Sequence, residues 1–326
     1  MSRTLTIGIP TYNGGKYIHL TIESILNEIM SSHVLESKIE IVVSDNASED
    51  DVGDIVQRYK KSFPNVIKYY RNKTNIGFDR NVDLVVKRAT GKFVWILSDD
   101  DIVLDGAIEH IQNVIDDHQD ETLALIYVNY NNQIQLKNKK DLLCQNGNEF
   151  FLNTHFKSGL ISSNIVSKSF WEKSCVERFF DSGWIHFGFD LEVLCPLNGH
   201  KAFIIHKEFV KTGGGGRWGQ EGTFIYVGFK LVTIFKLMPK WGYSKKVSKM
   251  AIFVIKGGYP VLIPIAKIKG LKTDFKLLSQ FHALYKKYPS FWLLDLPLLL
   301  IPKKLYDLTY LVMRNLKSHL KKKNDI

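Results

Sequence analysis

Leu5 to Ile9 alternates in polarity and is rich in β-formers, Pro10 ends the run, and Ile18, Ile22, Ile25, Leu26 and Ile29 then recur at helical spacing. The pattern reads as strand, loop, helix, and it repeats. Ile39–Val43 is a second strand; Ser48, with Asp51 three residues later, forms a capping box for a helix carrying Ile55, Val56 and Tyr59. Ile67–Tyr70 reads as a third strand, Val82, Val85, Val86 and Ala89 as a helix face, and Phe93–Leu97 as a buried fourth strand. Asp105 caps a further helix whose Ile108, Ile111 and Ile115 face inward, before the strand Ala124–Val128. Strands alternating with helices at this spacing predict an α/β fold, a mostly parallel sheet covered by helices on both faces. Ligands of such sheets gather at the carboxyl ends of the strands.

Past Val128 the pattern changes. Asn129 to Lys140 is a polar loop, Asn146-Gly147 a turn, and Lys211 to Trp218 is too glycine-rich for a strand or helix, so it reads as a loop with Arg217 and Trp218 at its tip. Three segments are expected: residues 1–128, residues 129–229, and residues 230–326, the last a basic, amphipathic helical extension.

Charge sharpens that last division. The net charge of +11 would suggest a nucleic-acid partner, but from Lys230 onward there are 20 Lys and Arg against 4 Asp and Glu, while the rest of the chain is slightly acidic. Basicity confined to an apolar tail fits an anionic membrane surface and no nucleic acid. Phe291 to Pro302 is apolar but too short to span a bilayer, and Leu305, Leu308, Val312, Leu316 and Leu320 mark one helical stripe beyond it, so the tail is expected to dock at the interface. Three scattered cysteines have no ligand or redox spacing, and the N-terminus lacks the pattern of a signal peptide. A cytoplasmic protein, peripheral on the inner face of the membrane, is expected.

The candidate chemistry follows the predicted strand ends in order: Thr11-Tyr12-Asn13, then Asp45 to Ser48, then Asn75-Ile76-Gly77 with Asn81, then Ser98-Asp99-Asp100-Asp101. Singly, the first three are ordinary turn or cap residues. With capping assigned to Ser48, Asp45 is left without a structural task and can accept a hydrogen bond from a pyrimidine N–H. Three consecutive carboxylates after a buried strand repel one another unless a cation enters, and such an oxygen-rich site suits Mg²⁺ or Mn²⁺ bound to a diphosphate.

Taken together, Ile9–Asn13, Val43–Ser48, Asn75–Asn81 and Leu97–Asp101 resemble, in order and spacing, the family 2 glycosyltransferases. The resemblance covers roughly the first third of the chain. It implies a GT-A (Rossmann-like) fold, a nucleotide-sugar donor, a divalent metal and inversion at the anomeric carbon. By position it places Thr11, Tyr12, Asn13, Asp45, Asn75, Gly77, Asn81, Asp99 and Arg217 at the donor. Where the family commonly carries Asp-x-Asp this chain has Ser98-Asp99-Asp100, so Asp100 is the metal ligand, with Asp101 or Asp99 open as its companion. The wording Leu-Ser-Asp-Asp-Asp, with Gly159–Ser163 and Trp184-Ile185-His186 downstream, is similar to the bacterial surface-polysaccharide branch that includes abequosyltransferases. That implies O-antigen or capsule assembly, transfer of a hexose or deoxyhexose, and a lipid-linked glycan acceptor. Ser162, Ser163 and Trp184 are the expected acceptor contacts. The family's acidic base falls at Asp190, and His186, four residues earlier on one predicted helix face, is the alternative base or its partner.

A nicotinamide dehydrogenase is excluded because Gly14-Gly15 does not supply G-x-G-x-x-G. The remaining alternative is a non-enzymatic polyanion- or membrane-binding protein resting on the tail's charge.

Overall fold

The computed structural model describes residues 3–31, 37–118, 121–136, 138–213 and 224–308. These described residues form two compact units, one from those within 1–215 and 236–250, the other from those within 216–235 and 251–326.

The first unit is built on a nine-stranded sheet in the order β3-β2-β1-β4-β8-β6-β9-β5, with β7 set against β9. The strands are β1 (Leu5–Thr11), β2 (Ile39–Asp45), β3 (Ile67–Arg71), β4 (Phe93–Ile96), β5 (Ile102–Val103), β6 (Leu123–Tyr130), β7 (Leu142–Cys144), β8 (Asn164–Ser167) and β9 (Lys201–Lys211). The expected parallel arrangement holds for β3-β2-β1-β4. Beyond β4 the sheet is mixed, because β8 runs antiparallel to both β4 and β6.

Strand alternation dictates how the sheet is covered. Leu5, Ile7 and Ile9 join Ile39, Ile41, Val43 and Trp95 in a core with α1 (Gly15–Met30), α2 (Val52–Ser62) and α4 (Ala107–Asp117). The opposite face meets α3 (Phe78–Arg88), whose Val82, Val85 and Val86 are fully buried. Here β1 and α3 approach so closely that a Cβ on Gly8 would lie 2.1 Å from Val85 Cγ1. The remaining helices are α5 (Gly147–Thr154), α6 (Lys168–Lys173) and α7 (Ile185–Val193).

Neither expected cap forms. Asp51 precedes α2 without a side-chain cap, and the Ser48 hydroxyl instead accepts the Asn13 N–H at 2.9 Å. Before α4 the chain turns through Gly106 at φ 79, and Glu28 of α1, not Asp105, accepts the Gly106 and Ile108 N–H groups.

The second unit is helical: α8 (Phe224–Phe235), α9 (Lys245–Ile268, which begins in the first unit), α10 (Phe275–Tyr285), a π-helical turn at Phe291–Asp295 and α11 (Leu296–Leu300). Its core joins Phe229, Tyr259, Ile263, Phe281, Tyr285 and Leu299. Of the expected tail stripe only Leu305 and Leu308 lie within the described residues, and both are exposed.

Because interiors are close-packed, an added methyl at Gly8 forces the sheet and α3 apart. Gly8→Ala is expected to lower unfolding free energy by about 1–3 kcal/mol, read from the denaturant midpoint. An unchanged midpoint would show that the contact yields without cost.

Candidate active site

The strand order reverses between β1 and β4, and beside that switch point the carboxyl ends of β1, β2, β3 and β4 carry the predicted polar clusters. At the end of β1, the Thr11 hydroxyl donates to Asp99 Oδ2 at 2.5 Å. Gly14 leaves room for that contact, since a Cβ there would sit 2.1 Å from the same Asp99 oxygen. Asn13, at φ 53, accepts the Glu49 N–H and so ties the β1 loop to the β2 loop. Tyr12 is exposed beside it.

Asp45 differs from expectation because it has a full structural task. Its Oδ1 accepts the Ser48 N–H at 2.8 Å, and its Oδ2 accepts from the Tyr69 hydroxyl at 2.6 Å and from Arg71 at 3.3 Å. Burial, with the hydrogen bond to Asp45 next, pushes the Tyr69 hydroxyl up to about 12, so it remains a donor. Neither Tyr69 nor Arg71 stood out in the sequence, although both lie on β3 in register beside β2. Asn75 Oδ1 accepts from Asn46 Nδ2 and from the Gly77 N–H, and Gly77 turns at φ 87 to open α3. Asn81 is buried deeper than a pocket wall. It accepts from Ser44 and Asn72 and donates to the Ser44 carbonyl, in a network that Arg88 completes. Asn46, Asn72 and Arg88 are thus supporting residues that the sequence reading missed.

The carboxylate turn after β4 separates three like charges by giving each its own partner. Asp99 is held by Thr11, Asp100 Oδ1 accepts from the Ser98 hydroxyl at 2.6 Å, and Asp101 accepts from the Ser162 hydroxyl at 2.5 Å and the Gly213 N–H at 2.8 Å. Asp101, expected beside Asp100 at a metal, instead spends both oxygens inside the protein. Burial raises its carboxyl to about 6 against the Ser162 and Gly213 hydrogen bonds, with Asp100 and Asp99 adding to the rise. Asp100 alone of the three is only partly buried. Among the described residues no group of three His, Cys, Asp or Glu side chains is disposed to hold a metal. The donor set still fits Mg²⁺ or Mn²⁺ of the kind that takes one or two carboxylates and completes its shell with phosphate oxygens and water.

Ser162 and Ser163 were expected at the acceptor, but both are fully buried. The Ser162 hydroxyl accepts the Ser98 N–H at 2.9 Å while donating to Asp101, and the Ser163 hydroxyl donates to the Leu160 carbonyl. Ser162 therefore shapes the carboxylate turn. Gly213, the last described residue before the glycine-rich segment, packs against the same turn: a Cβ there would lie 1.7 Å from the Asp100 carbonyl oxygen. Arg217 and Trp218 lie outside the described residues.

Helix α7 carries His186 and Asp190, four residues apart as predicted. Asp79 of α3 fixes its start, accepting the Gly183 and Ile185 N–H groups, while Arg80 pairs with Asp181. Both His186 and Asp190 are buried, and neither Asp190 oxygen has a hydrogen-bond partner of good geometry. Burial raises the Asp190 carboxyl well above its ordinary value, only partly offset by the nearby Ser158 hydroxyl. For His186, burial lowers the imidazole to about 4. Its Nε2 lies 3.0 Å from the Gly159 carbonyl, which can only accept, so Nε2 carries the proton and Nδ1 is left bare and unpartnered. Trp184 stands partly exposed, its ring 6.1 Å from that of His186.

Residues 6–180 match the family described as glycosyl transferase family 2. Among curated relatives, abequosyltransferase RfbV of Salmonella typhimurium is 30% identical over 179 residues, 50% of this chain and 53% of its own. The GalNAc(5)-diNAcBac-PP-undecaprenol beta-1,3-glucosyltransferase of Campylobacter jejuni is 25% identical over 219 residues, 63% of each chain. The matches thus span less than two thirds of these relatives. In fold, TarS residues 1–349 of S. aureus in complex with UDP-GlcNAc superposes with TM-score 0.59 at 15% identity, covering 87% of this chain and 82% of that one. The mannosyltransferase PcManGT from Pyrobaculum calidifontis, in complex with GDP-Man and Mn²⁺, gives 0.57 at 18% identity over 91% and 85%. With the strand-end clusters in place on this sheet and more than half of the sequence matched, the chain belongs to glycosyl transferase family 2.

Proposed function

We propose that this chain is an inverting glycosyltransferase that moves a sugar from a nucleoside-diphosphate donor to a hydroxyl of a lipid-linked glycan in bacterial surface-polysaccharide assembly. The observation that carries the proposal is the convergence of four strand ends on a switch point, with one partly exposed carboxylate, Asp100, among held ones. Relatives named for transfer of abequose, for transfer to poly(ribitol-phosphate) and for an undecaprenol-linked substrate support the substrate class.

Asp100 is the residue that would hold Mg²⁺ or Mn²⁺, and the ion when bound supplies charge stabilisation to the departing nucleoside diphosphate. Thr11 and the Asn13 turn border the donor from β1, and Asp45 with Tyr69 and Arg71 from β2 and β3. Asp101 and Ser162 act through Asp100 by fixing the turn. Asp190 takes the acceptor proton in its ionised form, which burial disfavours in the closed protein. His186 is neutral at pH 7 and fits a positioning role better. Because Asp190 is fully buried, the acceptor hydroxyl meets it only after the residues covering it rearrange.

Two outcomes test these roles. Asp190→Asn keeps the shape but cannot take a proton, so transfer should fall by about 10²-fold or more with nucleoside diphosphate affinity unchanged. Retained transfer in that variant, with loss in His186→Ala, would exchange the assignments. Ser162→Ala strips a donor from buried Asp101 and an acceptor from Ser98, so we expect a stability loss of about 1–3 kcal/mol and weaker metal-dependent donor use. If neither moves, Ser162 does not shape the turn.

A further inference from the structure

The second unit carries a surface that its own core does not use. Helix α9 packs one face inward through Tyr259, Ile263 and Ala266. Along the other, Phe253, Val254, Val261 and Ile265 are exposed, Phe253 by 72% and Val261 by 64%. Residues 249, 253, 257, 261, 265 and 269 follow one ridge at i+4 spacing. Its apolar centre, Phe253 to Ile265, runs about 18 Å, and exposed Lys249 and Lys269 stand at its ends. From Lys245 to Thr273 the sequence contains no Asp or Glu. Trp292 and Leu293 add exposed apolar surface in the π-helical turn.

The helix is long and apolar enough to cross a membrane by length and composition. Its inward face argues against crossing. Lys256 is buried with its Nζ 3.5 Å from Asp295, and Lys267 donates to the Leu299 carbonyl at 3.1 Å. Spanning would break these contacts and place two lysines in hydrocarbon, which is costly. A second copy of the chain is also a poor occupant. Antiparallel pairing of two such ridges would set Lys249 against Lys269, with no acidic residue on either face.

We infer that this ridge docks the enzyme on an anionic bilayer surface, with Phe253, Val254, Val261 and Ile265 among the acyl chains and the flanking lysines at the headgroups. An amphipathic helix lying in the interface gains from apolar burial and from attraction to anionic lipid together. The inference deepens the proposed function by naming the surface on which a lipid-linked acceptor is met, and rests on that reading only for its purpose.

The test uses the full chain and phosphatidylcholine vesicles with and without phosphatidylglycerol. Wild type should bind the anionic vesicles at least about tenfold more tightly. The double variant Phe253→Glu/Val261→Glu should lose that binding while nucleoside diphosphate affinity is unchanged. These positions are exposed, so folding should survive, and Lys249→Gln/Lys269→Gln gives a second reading, a reduced preference for anionic lipid. Equal binding to neutral vesicles, or undiminished binding by the Glu variant, would overturn the inference. So would resistance to alkaline extraction, which marks a spanning helix, or a dimer that the Glu variant makes monomeric. Transfer to a soluble acceptor in the absence of vesicle binding would leave the catalytic reading intact and remove only the docking surface.

Discussion

Three carboxylates at the end of one buried strand repel one another, and the first unit is arranged around holding them apart. Thr11 from β1 takes Asp99, Ser98 takes Asp100 from within the turn, and Ser162 with the Gly213 N–H takes Asp101. Each donor comes from a different part of the chain, so the turn can form only when β1, β4, the segment before β8 and the end of β9 are assembled. Two glycines mark how tight this is: a side chain on Gly14 or Gly213 would collide with the carboxylates or their backbone. The result is one carboxylate left partly exposed and two held inside the protein.

The same economy ties the opening of α3 to the helix that carries Asp190. Asp79 and Arg80 sit within the Asn75–Asn81 cluster, yet they reach across to cap the start of α7 and to pair with Asp181. Buried carboxylates at both places are raised by burial, Asp79 against the backbone N–H groups it accepts and Asp190 with only the nearby Ser158 hydroxyl to offset it.

Much of this architecture is legible along the sequence. The strands β1 to β4, their helices and the order of the polar clusters follow from local periodicity, and the pairing of His186 with Asp190 on one helix follows from spacing. What escapes is whatever depends on distant partners. Ser48 has the local signature of a cap but is engaged by Asn13, while Glu28, with no such signature, caps α4. Asp45 seemed idle until β3 brought Tyr69 and Arg71 against it, and Ser162 read as an acceptor contact because nothing local links it to Asp101, 61 residues earlier. The antiparallel β8 is likewise a tertiary choice that a four-residue strand, Asn164–Ser167, cannot announce.

On the proposed function, Asp100 binds a nucleoside diphosphate through a divalent ion. Thermal unfolding of the full chain with nucleoside diphosphates, with and without Mn²⁺, tests it most directly, because a ligand that binds only the folded state raises stability with its concentration. At least one nucleoside diphosphate should stabilise the wild-type protein further when Mn²⁺ is present, and Asp100→Ala should remove the metal-dependent increment. Stabilisation by polyanions alone, or an increment that survives Asp100→Ala, would contradict it.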